Sequence, residues 1–182
     1  DDVLTLASGV PSWAASAAGG KVGQCTQFVQ QATQSATSYQ AFTNAIPNFA
    51  HSITPSATSS KILVEMDFVF GDNNWVQFAL FSKVTSGGTY AIVTDAIASA
   101  TGGGSRLAGT TANAYAMSSN NTARPLSISF LDSPATTSEM FYTLYFASHS
   151  NHAVFLNRSY TDGDYATVGR QISTITLTEI LA

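Results

Sequence analysis

The side chains that could do chemistry in this 182-residue chain fall into small groups. His149 and His152 flank a two-residue break. In a tight hairpin they would face each other at about 5 Å, and symmetry around an oligomer axis could complete a metal shell. Asp162 and Asp164, with Asn157 nearby, offer hard oxygen ligands of the kind calcium takes, as do Asp72, Asn73 and Asn74. Neither loop has the spacing of a calcium motif, and turn chemistry uses the same residue types. His149, His152, Asp162 and Asp164 are therefore the residues a metal would use, but the expectation is no metal and no cofactor. Asp67, Asp132, Glu139 and Asp162 could supply the carboxylate pair of a glycan hydrolase only if the fold brought two of them into one cleft. No GxSxG is present. His51 and Ser52 are adjacent, and neighbours on a strand point to opposite faces. The chain reads as a binding protein, not an enzyme. Tyr90, Tyr115, Tyr160 and Tyr165 lie in or beside expected loops, where a ring could stack on a sugar while its hydroxyl hydrogen-bonds. They are the candidates for receptor contact, with core or subunit packing the other role open to each. The single Cys25 forms no intrachain disulfide and is expected as a small buried hydrophobe.

The elements that position these groups are strands. Leu126, Ile128 and Phe130 alternate with serines; Met140, Tyr142, Leu144 and Phe146 form the next alternation; Val154-Phe155-Leu156 follows; Ile172, Ile175, Leu177 and Ile180 close the chain. Period-two apolar spacing with β-branched and aromatic residues marks half-buried strands. Residues 61–84 read as a β-hairpin: Ile62, Val64, Met66, Phe68 and Phe70 on one face, a Gly71-Asp72-Asn73-Asn74 turn, then Val76, Phe78, Leu80 and Val84. Leu63, Val69, Trp75 and Phe81 make the opposite faces apolar too, which suggests a subunit contact outside a sandwich. Residues 21–31 fit a helix or a strand, and the β character of the rest favours strand. Short strands are expected near 40–44 and 48–54, with Pro47 and Pro55 as turns. Another is expected over 89–98 and one around 112–117. The count is eight to ten strands, an antiparallel, jelly-roll-like β-sandwich.

Composition sets the limits. Charged residues make up 10% of the chain, against a usual value of about 25%. The net charge of −4, with only seven Lys and Arg, excludes the basic stripe a nucleic-acid binder needs. No apolar run is long enough to insert across a bilayer. The first residue is Asp1, which suggests a fragment or a processed product. Residues 1–20 are too short and too rich in small residues to hold a core. They read either as a linker or as a stub of stalk whose Val3, Leu4, Leu6, Val10 and Trp13 pack against copies of themselves. Residues 21–182 are the head.

Several segments resemble one family. Residues 125–138, PLSISFLDSPATTS, look like a segment of the distal domains of phage tail fibres and related virion proteins, largely from phages of marine bacteria and cyanobacteria. Leu156-Asn157-Arg158-Ser159, Asp162-Gly163-Asp164 and the closing STITLTEI of residues 173–180 fit the end of that pattern. SITPSATSSKILV over 52–64 is similar as well, and Val10-Pro11-Ser12-Trp13 resembles a stalk-to-head junction. The resemblance covers most of residues 10–180 and is poorest over 85–120. It implies a homotrimeric β-sandwich head at a fibre tip on the virion. Such a head would bind a glycan or protein receptor on the host surface and join other virion proteins at its N-terminal end. It implies no catalysis and carries no defined set of contact residues. Two other roles stay open: a structural or capsid-decorating virion part, and a secreted lectin or adhesin domain.

Overall fold

The computed structural model describes residues 2–7, 10–15, 21–99, 107–113, 121–149, 151–166 and 168–181. Its elements are almost entirely strands: β1 (Asp2–Ala7), β2 (Val10–Ala15), β3 (Val22–Gln30), β4 (Gln34–Thr37), β5 (Asn44–Ile53), β6 (Lys61–Gly71), β7 (Val76–Val84), β8 (Ala91–Ile92), β9 (Thr111–Asn113), β10 (Arg124–Asp132), β11 (Met140–Ser148), β12 (Ala153–Leu156) and β13 (Ser173–Ile180). The described residues hold thirteen strands, more than the expected eight to ten: β1 and β2 lie in the segment expected as linker or stalk, and β4, four residues long, is too short for alternation to reveal. β1 and β2 pair as an antiparallel hairpin at the end expected to be linker or stalk. The remaining strands form two antiparallel sheets packed face to face.

The first sheet is built on β6. β10 runs antiparallel along one edge of β6 from Asp132↔Ile62 to Arg124↔Phe70. β13 and then β12 share the other edge, with β3 beyond β13 and β4 beyond β12. The second sheet has β11 at its centre, β5 on one side and β7 on the other, with β8 and β9 beyond β7.

The expected 61–84 hairpin does not form. β6 and β7 lie in opposite sheets, and residues 72–75 turn the corner between them. The facing assignments were right, but both inner faces look into the same core across the sandwich. Alternation fixes which face of a strand is buried and says nothing about which strand lies beside it. The core shows the result. Phe78 of the second sheet meets Phe68 and Phe70 of the first, each at a ring-centroid distance of 5.0 Å and nearly edge to face. All three rings are essentially buried. Ile62, Val64, Met66, Ile128, Ile175 and Leu177 complete the first inner face; Ile46, Phe49, Met140, Tyr142, Leu144 and Phe146 complete the second.

Other expectations shift for local reasons. β3 is a strand, with Thr26 and Phe28 turned inward, so Cys25 is exposed on the outer side, where its Sγ accepts a hydrogen bond from Thr178 Oγ1 at 3.3 Å. Pro47 does not end a strand. It lies within β5, the edge of the second sheet, where the register against β11 slips and Asn48 adopts a φ of 54°. Edges and bulges are where a strand tolerates proline, because no ladder bond is lost there. The 89–98 strand shrinks to β8 followed by a 3-10 turn at Thr94–Ala96. The outer-face Phe81 needs no subunit to bury it: the chain's own Tyr145 stacks on it at 4.0 Å and Phe42 meets its edge at 6.4 Å.

Because Phe78 fills the space between two rings of the facing sheet, Phe78→Ala is expected to cost about 3–5 kcal/mol, measured by denaturant unfolding. The same change at exposed Val84 is expected to stay within about 0.5 kcal/mol.

Candidate functional site

Most of the chemically capable side chains turn out to be held in the framework. Asn157 follows β12 in left-handed backbone, at a φ of 64°, and is completely buried. Its Nδ2 donates to the carbonyls of Gln30 at 2.7 Å and Ala32 at 3.1 Å. Its Oδ1 accepts from Ser173 Oγ, which in turn accepts from the Val69 N–H. One amide thus ties the ends of β3, β12 and β13 to β6. Gly71 sits opposite, so close to the backbone of Arg158 and Ser159 that a Cβ there would overlap it.

The loop after Asn157 does not present a calcium shell. Asp162 accepts from Arg170 Nε at 3.0 Å and Nη2 at 2.6 Å, and Arg158 lies 3.8 Å away. Guanidinium groups occupy the place a cation would take. Asp164 is exposed on the same loop. Arg158 also lies 3.6 Å over the Phe155 ring, and Tyr160 meets that ring edge-on at 5.4 Å. Tyr160 is thereby a packing residue, whereas Tyr165 is 65% exposed. Tyr90 sits beside Tyr145, at 6.0 Å, beneath Lys83. Burial, then the neighbouring Tyr145, pushes its hydroxyl pKa up. Tyr115 lies outside the described residues.

The carboxylates are likewise separately engaged. Asp132, ending β10, accepts from the hydroxyl of fully buried Tyr142 at 2.7 Å, a tie between the two sheets. Burial first, and then this carboxylate, push the Tyr142 pKa up. Glu139 accepts from Ser52 at 2.8 Å and Asp67 from Ser127. His51 points the other way from Ser52, to Thr26 at 3.0 Å and onto the Phe28 ring; burial lowers its pKa. Glu179 escaped sequence reasoning altogether. It continues the inward-facing register of Ser173, Ile175 and Leu177, while Ile172 and Ile180, expected inside with them, lie on the outer side. Burial works to raise its pKa. Bonds from Ser56 Oγ at 2.7 Å, Gln24 Nε2 at 2.9 Å and the Ser56 N–H at 2.6 Å outweigh it and hold the group at about 2.

His149 and His152 do not face each other. β11, which His149 follows, is in the second sheet, and β12, which His152 precedes, is in the first. Among the described residues no three His, Cys, Asp or Glu gather as metal ligands. The ring of His149 instead packs against Trp75 at 5.6 Å. This pair borders an open cleft of about 550 Å³ lined by Gln40, Trp75, Gln77, Leu107, His149 and the buried end of β11. Three distant segments converge there. The His149 N–H donates to the Trp75 carbonyl at 3.1 Å. The Gln40 N–H donates to the Ser148 carbonyl at 2.9 Å, and Gln40 Nε2 to the His149 carbonyl at 3.3 Å. Gln40 holds a φ of 49°, a left-handed conformation unfavourable for a residue with a Cβ. Trp75 is 51% exposed. Sequence reasoning noted Trp75 only as an outer-face apolar residue, because nothing in the order of residues joins positions 40, 75 and 149.

No protein-family model matches the chain, and no curated protein matches it by sequence. Among solved structures, it is similar to a chain of infectious bursal disease virus, Gx strain, at 12% identity and a TM-score of 0.42, over 99% of this chain and 41% of that one. The T13 particle of the same virus gives 10% identity and a TM-score of 0.43, over 100% and 41%. The VP2 subviral particle gives 10% and 0.33, over 99% and 42%. This chain thus spans about two fifths of those chains. At such identities and scores these likenesses carry no inference about activity.

Two variants check the framework assignments. Asn157→Ala leaves two buried carbonyls without their donor and is expected to cost about 2–3 kcal/mol in denaturant unfolding. Glu179 has a folded pKa depressed from 4.5 to about 2, so its stabilisation is complete above pH 4.5 and disappears as pH falls through 2. Melting temperatures recorded from pH 6 to pH 2 are therefore expected to fall less steeply for Glu179→Gln than for the parent chain, with Glu179→Gln the less stable of the two at pH 6.

Proposed function

We propose that this chain is a β-sandwich module on the outside of a virion that works by non-covalent binding, and that it attaches the particle to a host-cell surface. The observation that carries this reading is the contrast between the two kinds of polar side chain. Asn157, Asp132, Glu139, Asp162 and Glu179 are spent on framework bonds in separate places. The open cleft beside Trp75 offers an exposed aromatic ring, two amides and the His149 ring, with no carboxylate among the described lining residues, which suits recognition better than bond cleavage. The sequence resemblance to distal fibre domains supports the same reading. In it the module is a homotrimer, meets other virion proteins through its N-terminal end, and takes a glycan or protein receptor.

A structural place in the virion shell, or as a decoration upon it, is the second reading. β3 favours it. This nine-residue edge strand pairs, among the described strands, only with β13, contains no charged residue, and leaves Val22 and Val29 exposed. Natural sheets usually guard such an edge with charges or bulges; the register slip in β3 lies at Gly23, near its start, and leaves residues 24–30 regular, so a neighbouring subunit is a natural completion of it.

A fluorescent fusion of the chain incubated with a panel of marine bacterial and cyanobacterial cells, and separately with purified capsids, separates the two. Saturable labelling of a subset of cells is expected; labelling of capsids alone would replace attachment by decoration. Light scattering is expected to give the mass of three 19.1 kDa chains. A monomer at micromolar concentration would remove the trimer from the proposal.

A further inference from the structure

We propose that the cleft beside Trp75 is a subsite for a neutral hexopyranose. The indole would lie under the C–H face of the sugar ring, and the amides of Gln40 and Gln77 would meet its hydroxyls. The inference rests on reading the chain as a binding module and names the ligand class of its cleft.

Four features of the cleft select this chemistry. First, the indole of Trp75 is half exposed at the sandwich corner, with the His149 ring packed beside it and the Trp75 backbone carbonyl tied to the His149 N–H. An aromatic face attracts the slightly positive C–H groups on one side of a pyranose for the same electrostatic reason that it attracts cations. Second, two of the polar groups beside it, Gln40 and Gln77, are amides. Each presents donors and acceptors together, which matches a hydroxyl that both gives and takes a hydrogen bond. The one bond from Gln40 Nε2 to the His149 carbonyl leaves capacity for more. Third, among the described residues no Asp, Glu, Lys or Arg lines the cleft, and His149 is the one ionisable side chain there. A uronate or phosphate entering it would lose water and find no Lys or Arg among these residues to pair with. Fourth, the floor is rigid. Ala147 and Ser148 are 4% and 2% exposed and belong to β11, where they pair with Gln77 and Val76 of β7 and Ser148 bridges to Tyr39, and Gln40 is kept in left-handed backbone by its bonds to the Ser148 and His149 carbonyls. Unfavourable backbone maintained at a cleft wall is a common mark of a preorganised site. The volume, about 550 Å³, falls within the range of small-molecule sites.

The chain has two tryptophans, Trp13 and Trp75, so Trp13→Phe makes Trp75 the sole indole reporter. The full chain with that change would be titrated with the methyl glycosides of glucose, galactose, mannose and N-acetylglucosamine, and with methyl glucuronide as the charged control. At least one neutral glycoside is expected to shift the Trp75 emission saturably, with a Kd of about 1 mM. In saturation-transfer NMR on the otherwise unchanged chain, Trp75→Ala is expected to weaken that glycoside by about tenfold or more, and Gln77→Ala by about threefold. Because Trp75 is exposed, its replacement is expected to leave the far-ultraviolet circular dichroism unchanged; Gln40→Ala gives a second variant that spares the ring. Silence from all four neutral glycosides, binding undiminished by both Trp75→Ala and Gln40→Ala, or tighter binding of the glucuronide would each overturn the assignment. Cell labelling without glycoside binding would leave the attachment reading standing and remove the ligand. Glycoside binding without cell labelling would keep the subsite and remove attachment.

Discussion

The insertion of Phe78 between Phe68 and Phe70 is the contact on which the rest of the molecule depends. It joins the two sheets at the point where the chain crosses from one to the other, since β6 and β7 are consecutive and belong to opposite layers. Edge-to-face rings pack closely and hold a defined angle. With the crossing fixed, β10 and β13 have only the two edges of β6 to occupy, and β11 lies on β7. The corner at residues 72–75 is a direct product of that crossing, and it is what sets Trp75 at the rim of the sandwich.

Three buried polar groups share a pattern. Each lies at a border of the apolar layer and is answered by hydrogen bonds from other strands or loops. Asn157 and Ser173 do this where β3, β12 and β13 meet β6. Glu179 does it at the opposite end of β13, with Ser56 and Gln24. Tyr142 and Asp132 do it across the layers. A half-satisfied group in these places would cost more than an apolar one. The same bonds hold these residues apart from one another, each fixed in its own part of the framework. What is left for function is at the surface, and the low charge of this surface points recognition toward aromatic and amide contacts.

The sequence by itself determined a good deal. Alternation identified the strands of the long segments and the inward faces of β6, β7, β10 and β11, because the period of a strand is a local property of the backbone. The β-only class was readable from residue types, and so was the small number of Lys and Arg. Partnership was not. Residues 61–84 read as a hairpin and form a sheet-to-sheet crossing, since a strand with a buried face satisfies its alternation equally well beside its neighbour or opposite it. The short strand β4 and the inward Glu179 were hidden for a related reason: four residues carry too little pattern, and a buried glutamate makes sense only once Ser56 and Gln24 are brought to it from far along the chain. The hairpin expected to set His149 opposite His152 does not form, because the chain changes sheets between them. The cleft was invisible to the sequence altogether. Gln40, Trp75, Gln77 and His149 become neighbours only through pairing of β7 with β11 and the bridge from residue 40 to the end of β11, and such long-range pairing is decided by tertiary packing, not by anything written within any one segment.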